Sequence, residues 1–251
     1  MGGHHAREHL SVETPLRLTE WILDQYQKGD SRIVELLQNR EIHIWPAVNP
    51  DGLEYDISGN DYKMWRKNRT RNSDGTFGVD LNRNYSFKWG TGGSSSNPRS
   101  DTYKGPTPFS EPETQAVKKY VESMKSLKVL LSFHTFSELI LYPWGHTRSA
   151  VDKSQDRLVY TKMAEKMASW NNYKPMQASE LYIASGDTTD WAYGERGIFS
   201  FTFELDPSEQ WNGGFYPGDE IIQNVVDKNK EPFLYLIDYA DNPYRVLEFG
   251  I

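Results

Sequence analysis

The stretch His4-His5-Ala6-Arg7-Glu8-His9, almost at the start of the chain, is dense in groups that bind a divalent metal. His5 and Glu8 stand three residues apart, so one helical turn or a tight loop can aim both side chains at one point. An imidazole nitrogen and a carboxylate oxygen are ordinary ligands for Zn²⁺, and a catalytic zinc takes three protein ligands and leaves a position for water. The third ligand must then come from far away in the chain. His134, in Ser132-Phe133-His134-Thr135, lies near the end of an apolar stretch with the character of a buried strand. In open α/β sheets, sites gather at the carboxyl ends of strands. The competing account makes His134 a hydrogen-bonded core histidine and the N-terminal cluster a solvated tail. His43 reads as structural, and His4 and His9 as neighbours of the site rather than ligands.

Glu204 closes the aromatic run Phe199-Ser200-Phe201-Thr202-Phe203-Glu204. An unpaired carboxylate in such a place costs several kcal/mol to desolvate. It is either a general base beside a metal-activated water or a strand-end residue facing solvent. Arg66 and Arg83 fall in stretches without regular pattern, where most arginines are solvated. Together with Asn82, though, they can grip a carboxylate in fixed geometry, a guanidinium fork beside an amide. Tyr182 sits in a small-residue segment, Leu181 to Asp187, that either moves or simply packs. Asp80 has the chemistry of an acceptor that holds the tautomer of a ligand imidazole.

These side chains need a scaffold, and the chain is long enough for one. At 251 residues a substantial core is affordable. The net charge of −7 argues against a nucleic-acid binder. Without cysteine, a disulfide framework, a thiolate metal site and a cysteine nucleophile are excluded. No apolar run approaches a membrane span. Apolar residues at helical spacing, Val12, Leu16, Trp21, Ile22 and Tyr26, predict a helix over 12–27, with a shorter one at 32–37. Residues 41–49 read as a buried strand ended by a turn at Asn49-Pro50-Asp51-Gly52. Residues 53–110 are poor in pattern, and a loop region that long inside a domain is usually functional or disordered. Ser110 and Glu113 have capping-box spacing and open a helix to about Met124. Strands follow at 128–136, 138–142 and 197–205. Helices are expected at 153–170, 188–195 and 220–240, the last bent at Pro232. Interleaved helices and apolar strands indicate an α/β layer fold in one domain, 1–251.

His5-x-x-Glu8, Trp65-Arg66-Lys67-x-Arg69, Asp80-x-Asn82-Arg83-Asn84, His134, Leu141-Tyr142-Pro143-x-Gly145 and Phe201-Thr202-Phe203-Glu204 occur in one order along the chain. That order resembles the zinc carboxypeptidases of the carboxypeptidase A/B family, most of all the bacterial carboxypeptidase T branch. The resemblance runs from His4 to about Tyr244. It implies a mixed β-sheet with helices on both faces and one Zn²⁺ held by His5, Glu8 and His134. It further implies hydrolysis of the C-terminal peptide bond. Glu204 matches the carboxylate that activates the zinc-bound water, and Arg66 the group that stabilises the oxyanion. Asn82, Arg83 and Tyr182 match the clamp on the substrate's terminal carboxylate. Arg7 matches an auxiliary arginine at the cleft, and Asp80 the partner of the first zinc histidine. Peptide or protein C-termini are the implied partners, not nucleic acid or membrane, with the enzyme a monomer in an extracellular setting.

Four departures qualify the resemblance. Members that prefer Lys or Arg ends carry Asp seven residues after the mobile tyrosine, and here that position is Thr189. Asp187 lies two residues earlier, as in carboxypeptidase T-like enzymes, which implies tolerance of both apolar and basic ends. Phe136 replaces a common Tyr. Those enzymes also bind Ca²⁺, for which Asp51, Glu54, Asp56 and Asp61 offer carboxylates, but at a spacing that matches no EF-hand loop. Finally, family domains carry strands ahead of the zinc motif. Their lack would leave a sheet edge unpaired, an aggregation hazard. A truncated homologue that binds peptide ends or metal without catalysis is therefore an alternative, as is a hydrolase of cell-wall peptide stems.

Overall fold

The computed structural model describes residues 1–248. Its helices are α1 (Leu10–Gln27), α2 (Ser31–Asn39), α3 (Pro50–Ile57), α4 (Pro112–Ser123), α5 (Ser154–Asn171), α6 (Ala178–Leu181), α7 (Thr188–Arg196) and α8 (Ile222–Asp238). The strands are β1 (Val129–Thr135), β2 (Leu139–Tyr142), β3 (Lys174–Gln177) and β4 (Phe199–Leu205). They form one mixed sheet in the order β1-β4-β2-β3, with β1 parallel to β4, β4 antiparallel to β2, and β2 parallel to β3.

Successive strand residues point to opposite faces, and the two faces are filled differently. Phe133 on β1 and Phe199, Phe201, Phe203 and Leu205 on β4 pack into a core with the apolar sides of α1, α5 and α8. Leu130 on β1 belongs to a second core with Val117 and Val121 of α4 and Trp191 of α7. Helices therefore cover both faces, as the resemblance implied. In β4 the alternation sends Ser200, Thr202 and Glu204 to the α4/α7 face. The register pairs Glu204 with His134 of β1, so both residues stand one from the end of adjacent parallel strands, on one face.

Several local expectations are corrected. The buried stripe of α1 is Leu10, Thr14, Leu18 and Ile22, whereas Leu16 and Tyr26 are exposed. Residues 41–49 are extended but form no strand. Their links to neighbouring backbone run to the first residues: Gly2 N donates to Trp45 O (2.9 Å), and Val48 N and Asn49 N donate to Gly2 O and Gly3 O (3.0 Å each). A Cβ on Gly2 would stand 1.9 Å from Ser11 O, so only glycine allows this approach. Towards Ile42 and Ile44 a groove of about 630 Å³ separates this segment from Val129 and Leu131 of β1. Strand-like composition makes a ladder only where a partner backbone lies alongside. At the β1 edge, Met1 N donates to Leu131 O (2.7 Å) and Phe133 N to Met1 O (2.8 Å).

The turn signal at Asn49-Pro50-Asp51-Gly52 opens α3: Asn49 Oδ1 accepts from Gly52 N (3.1 Å) and Pro50 begins the helix. The capping box at Ser110 and Glu113 does not form. The N-cap of α4 is Glu111, and Ser110 Oγ donates to its carboxylate at 2.6 Å. β3 and α6 arise where no element was expected.

Candidate active site

His5 and Glu8 sit in a turn just before α1, closed by Glu8 N donating to His5 O at 3.2 Å. Ala6 N donates to Arg66 O (3.0 Å) and Ser11 Oγ to Glu8 O (2.6 Å), so the turn is pinned on both sides. His134 enters from the end of β1. The ligating atoms of His5, Glu8 and His134 lie within 4.8 Å of one another, all three residues buried. His5 Nδ1 is 2.7 Å from Glu8 Oε1, His134 Nδ1 is 2.8 Å from Glu8 Oε2, and the two Nδ1 atoms are 3.2 Å apart. Among the described residues no other three His, Asp or Glu donors converge so closely.

The donor set fits a zinc ion. His5 Nε2 is 3.1 Å from Asp80 Oδ1. A carboxylate there requires the proton on Nε2 and leaves the Nδ1 lone pair for a metal. Burial alone would raise the Glu8 carboxyl, but His5 and His134 outweigh it and hold it below the usual carboxylate range. Burial pushes the His134 imidazole down, towards the neutral form a metal requires. His4 is buried beside this centre, stacked on His134 with ring centroids 5.6 Å apart. It stands outside the three converging donors. His9 turns away to Asp56 (2.9 Å), and His43 bonds the Tyr120 hydroxyl (2.6 Å).

Glu204 is 8% exposed, and burial followed by the Glu8 charge pushes its carboxyl well above the ordinary value. It does not point to solvent. Arg66 is buried, and its Nε and Nη2 reach Asp80 Oδ2 at 3.0 and 2.9 Å. Burial opposes the Arg66 charge, but Asp80 keeps it fully protonated. One wholly buried carboxylate, Asp80, thus fixes His5 with one oxygen and Arg66 with the other. It is itself held well below the usual range: burial works against this, and Arg66 and His5 prevail.

Asn82 and Arg83 follow on a short 3-10 turn, Leu81–Arg83, capped by Asp80 Oδ1 accepting from Asn82 N at 3.0 Å. Arg83 Nε donates to Gly93 O (3.0 Å) and Nη1 to Asn82 O (2.7 Å). Those two bonds leave Nη2 for another acceptor. Tyr182 closes α6 and is half exposed, its ring centroid 5.7 Å from the Arg83 guanidinium carbon. The two halves of this cluster are stitched at Gly186, whose carbonyl accepts from Tyr85 N (2.9 Å). With φ at +73° and Arg83 O 2.6 Å from any Cβ, that position demands glycine.

Asp187 is the N-cap of α7: its Oδ1 accepts from Thr189 N (3.0 Å), Thr189 Oγ1 (2.7 Å) and Asp190 N (2.9 Å). Oδ2 is buried without a partner among the described residues. Burial and then Asp190 raise the Asp187 carboxyl to about 7. Arg7 lies with its guanidinium 4.3 Å over Phe215, whose ring meets Phe136 at 4.9 Å. The four acids weighed for calcium do not assemble. Asp56 is fully buried and spent on His9, Tyr216 and Trp65 N, and no three of Asp51, Glu54, Asp56 and Asp61 converge. No spacing argument singled out Thr188, yet it bonds both Asn82 and His4.

Residues 1–232 match the zinc carboxypeptidase family as a whole. The chain belongs to the zinc carboxypeptidase family. It is 38% identical to a zinc carboxypeptidase of Saccharothrix mutabilis subsp. capreolus, over 97% of this chain and 57% of that protein. It is 34% identical to carboxypeptidase B of Astacus astacus, over 88% of this chain and 73% of that one. Its fold superposes on the crystal structure of thrombin-activatable fibrinolysis inhibitor with a TM-score of 0.87 at 29% identity, covering 96% of this chain and 61% of the other. The chain thus spans little more than half the length of the first of these relatives. For a zinc carboxypeptidase one Zn²⁺ is the implied cofactor, and His5, Glu8 and His134 are a donor set of the right kind.

Proposed function

We propose that this chain is the catalytic unit of a zinc-dependent carboxypeptidase that hydrolyses the C-terminal peptide bond of peptides. One observation carries the reading: two imidazoles and a carboxylate converge in a buried cluster, and the strand register sets Glu204 beside His134 of that cluster. When bound there, zinc supplies Lewis acidity and lowers the pKa of a coordinated water towards neutrality.

The protein's own groups do the rest. Glu204, ionised once a nearby cation offsets the cost of burial and the repulsion from Glu8, takes a proton from the attacking water and returns it to the leaving amine. Arg66, locked by Asp80, keeps a fixed positive charge where the carbonyl oxygen becomes negative. Arg83 Nη2, the Asn82 amide and the Tyr182 hydroxyl receive the free carboxylate of the substrate, which only a chain end offers. Asp187, titrating near 7 and keeping one buried oxygen unpartnered, suits a pocket that takes apolar ends and, when ionised, basic ones.

The test uses the whole chain with zinc. Blocked dipeptides ending in Leu or Arg should be hydrolysed with one zinc per chain, and chelation should stop the reaction reversibly. Zinc binding without hydrolysis of either substrate would favour the non-catalytic binder instead. Hydrolysis of only one of the two ends would sink the broad-specificity reading.

A further inference from the structure

We infer that Thr188 is a positioning residue that fixes which end of the Asn82 amide faces the substrate carboxylate. The inference rests on the reading of Asn82 as part of the carboxylate clamp. The geometry is specific. Asn82 Oδ1 is 2.9 Å from Thr188 N and 2.9 Å from Thr188 Oγ1. A backbone N–H can only donate, so the atom facing Thr188 N must be the amide oxygen. The Thr188 hydroxyl, facing the same acceptor-only atom, spends its proton there too. Both donors come from one residue at the first position of α7, where backbone N–H groups lack partners within the helix.

With its oxygen doubly held, the amide must present its nitrogen the other way. Among the described residues Asn82 Nδ2 has no hydrogen-bond acceptor, and Asn82 is only partly buried. An –NH₂ group presented to a cleft attracts a carboxylate. The flipped amide would present an oxygen and repel it, so the orientation is worth fixing. The backbone of the same residue is held by Asp80 Oδ1, which accepts from Asn82 N at 3.0 Å. The Thr188 hydroxyl also lies 3.0 Å from His4 Nε2, itself 2.9 Å from Tyr85 OH. His4 therefore backs Thr188 from the side of the metal histidines.

Thr188→Val removes the hydroxyl and keeps the shape. For a blocked dipeptide such as benzoyl-Gly-Leu or benzoyl-Gly-Arg, KM should rise about three- to tenfold, the range for one neutral hydrogen bond. The turnover number and the zinc content should stay at wild-type values. Thr188→Ser should restore KM to within about twofold, and Thr188→Ala serves should the valine variant fail to fold. The decisive arm is a double-mutant cycle: in an Asn82→Ala background, Thr188→Val should no longer change KM. An undiminished effect in that background, or a fall in turnover or zinc content in place of the KM rise, overturns the proposal and assigns Thr188 to the His4 side. Wild-type KM in Thr188→Val beside a raised KM in Asn82→Ala overturns the proposal alone. Wild-type KM in Asn82→Ala itself removes the clamp reading and the proposal together.

Discussion

Glu204 and Arg83 are the side chains on which the proposed chemistry can be separated from binding. Glu204→Gln keeps the size and one acceptor oxygen but cannot take a proton. We expect turnover to fall about 10²- to 10⁴-fold, the usual worth of a positioned base, with KM nearly unchanged and one zinc still bound. Steady-state kinetics with metal analysis checks it, and retained turnover would remove Glu204 from that role. Arg83→Ala removes a charged donor already anchored to Gly93 O and Asn82 O. Charge-assisted hydrogen bonds contribute about 1.5–3 kcal/mol, so KM for free-carboxylate peptides should rise roughly 10- to 150-fold with a smaller effect on turnover. Unaltered KM would sink the clamp. At this scale the sequence was informative about residue types. The ambiguity over Glu204, solvent-facing or buried, needed its neighbours, because burial belongs to a position in three dimensions.

Among the elements, α7 is where stability and pH meet. Asp187 caps it through Oδ1, while Oδ2 is buried unpartnered. Its carboxyl titrates near 7 against an ordinary 3.8. The folded pKa lies above the unfolded one, so folding takes up a proton between those values. Stability from this group is present at pH 4, declines as pH rises towards 7, and is flat beyond. Asp187→Asn keeps a cap acceptor and does not ionise. Its melting temperature should exceed that of the wild type at pH 8 by a few degrees, with the difference vanishing near pH 4. A gap independent of pH would refute the linkage. Gly186→Ala should be more damaging, because its Cβ would meet Arg83 O at 2.6 Å and φ is +73°. Melting temperature and KM should both worsen. Helices with a clear apolar stripe or a capping residue were legible in sequence. The segment 41–49 was not: its composition suits a strand, but a ladder depends on a neighbour that composition cannot specify. The Ser110–Glu113 box failed for a related reason, because Ser110 spends its hydroxyl on Glu111.

For the molecule as a whole, the proposed metal centre would tie the N-terminal turn to the sheet. His5 and Glu8 come from the turn and His134 from β1. A ligand that binds only the folded state stabilises it by mass action, about 4 kcal/mol at a thousandfold excess over Kd. Zinc should therefore raise the melting temperature of the chelated protein clearly. His134→Ala should abolish both that rise and the zinc stoichiometry. His9→Ala should preserve both, since His9 bonds Asp56 outside the cluster. Loss of zinc in the His9 variant would mean that the ligand set is wrongly drawn.

The sequence by itself determined the donor types available, the exclusion of thiol chemistry, the helical and apolar segments, and the motif order that marks a zinc carboxypeptidase. Those properties belong to single residues or to short spacings, which the backbone periodicities of helix and strand translate directly into faces. Only the tertiary structure decided that Glu204 and His134 are register partners, that Asp80 serves a histidine and an arginine at once, and that Thr188 holds the Asn82 amide. Each of these is a meeting of groups far apart in the chain. Chain separation sets no distance once the sheet has folded, so only the packed layers bring such groups together.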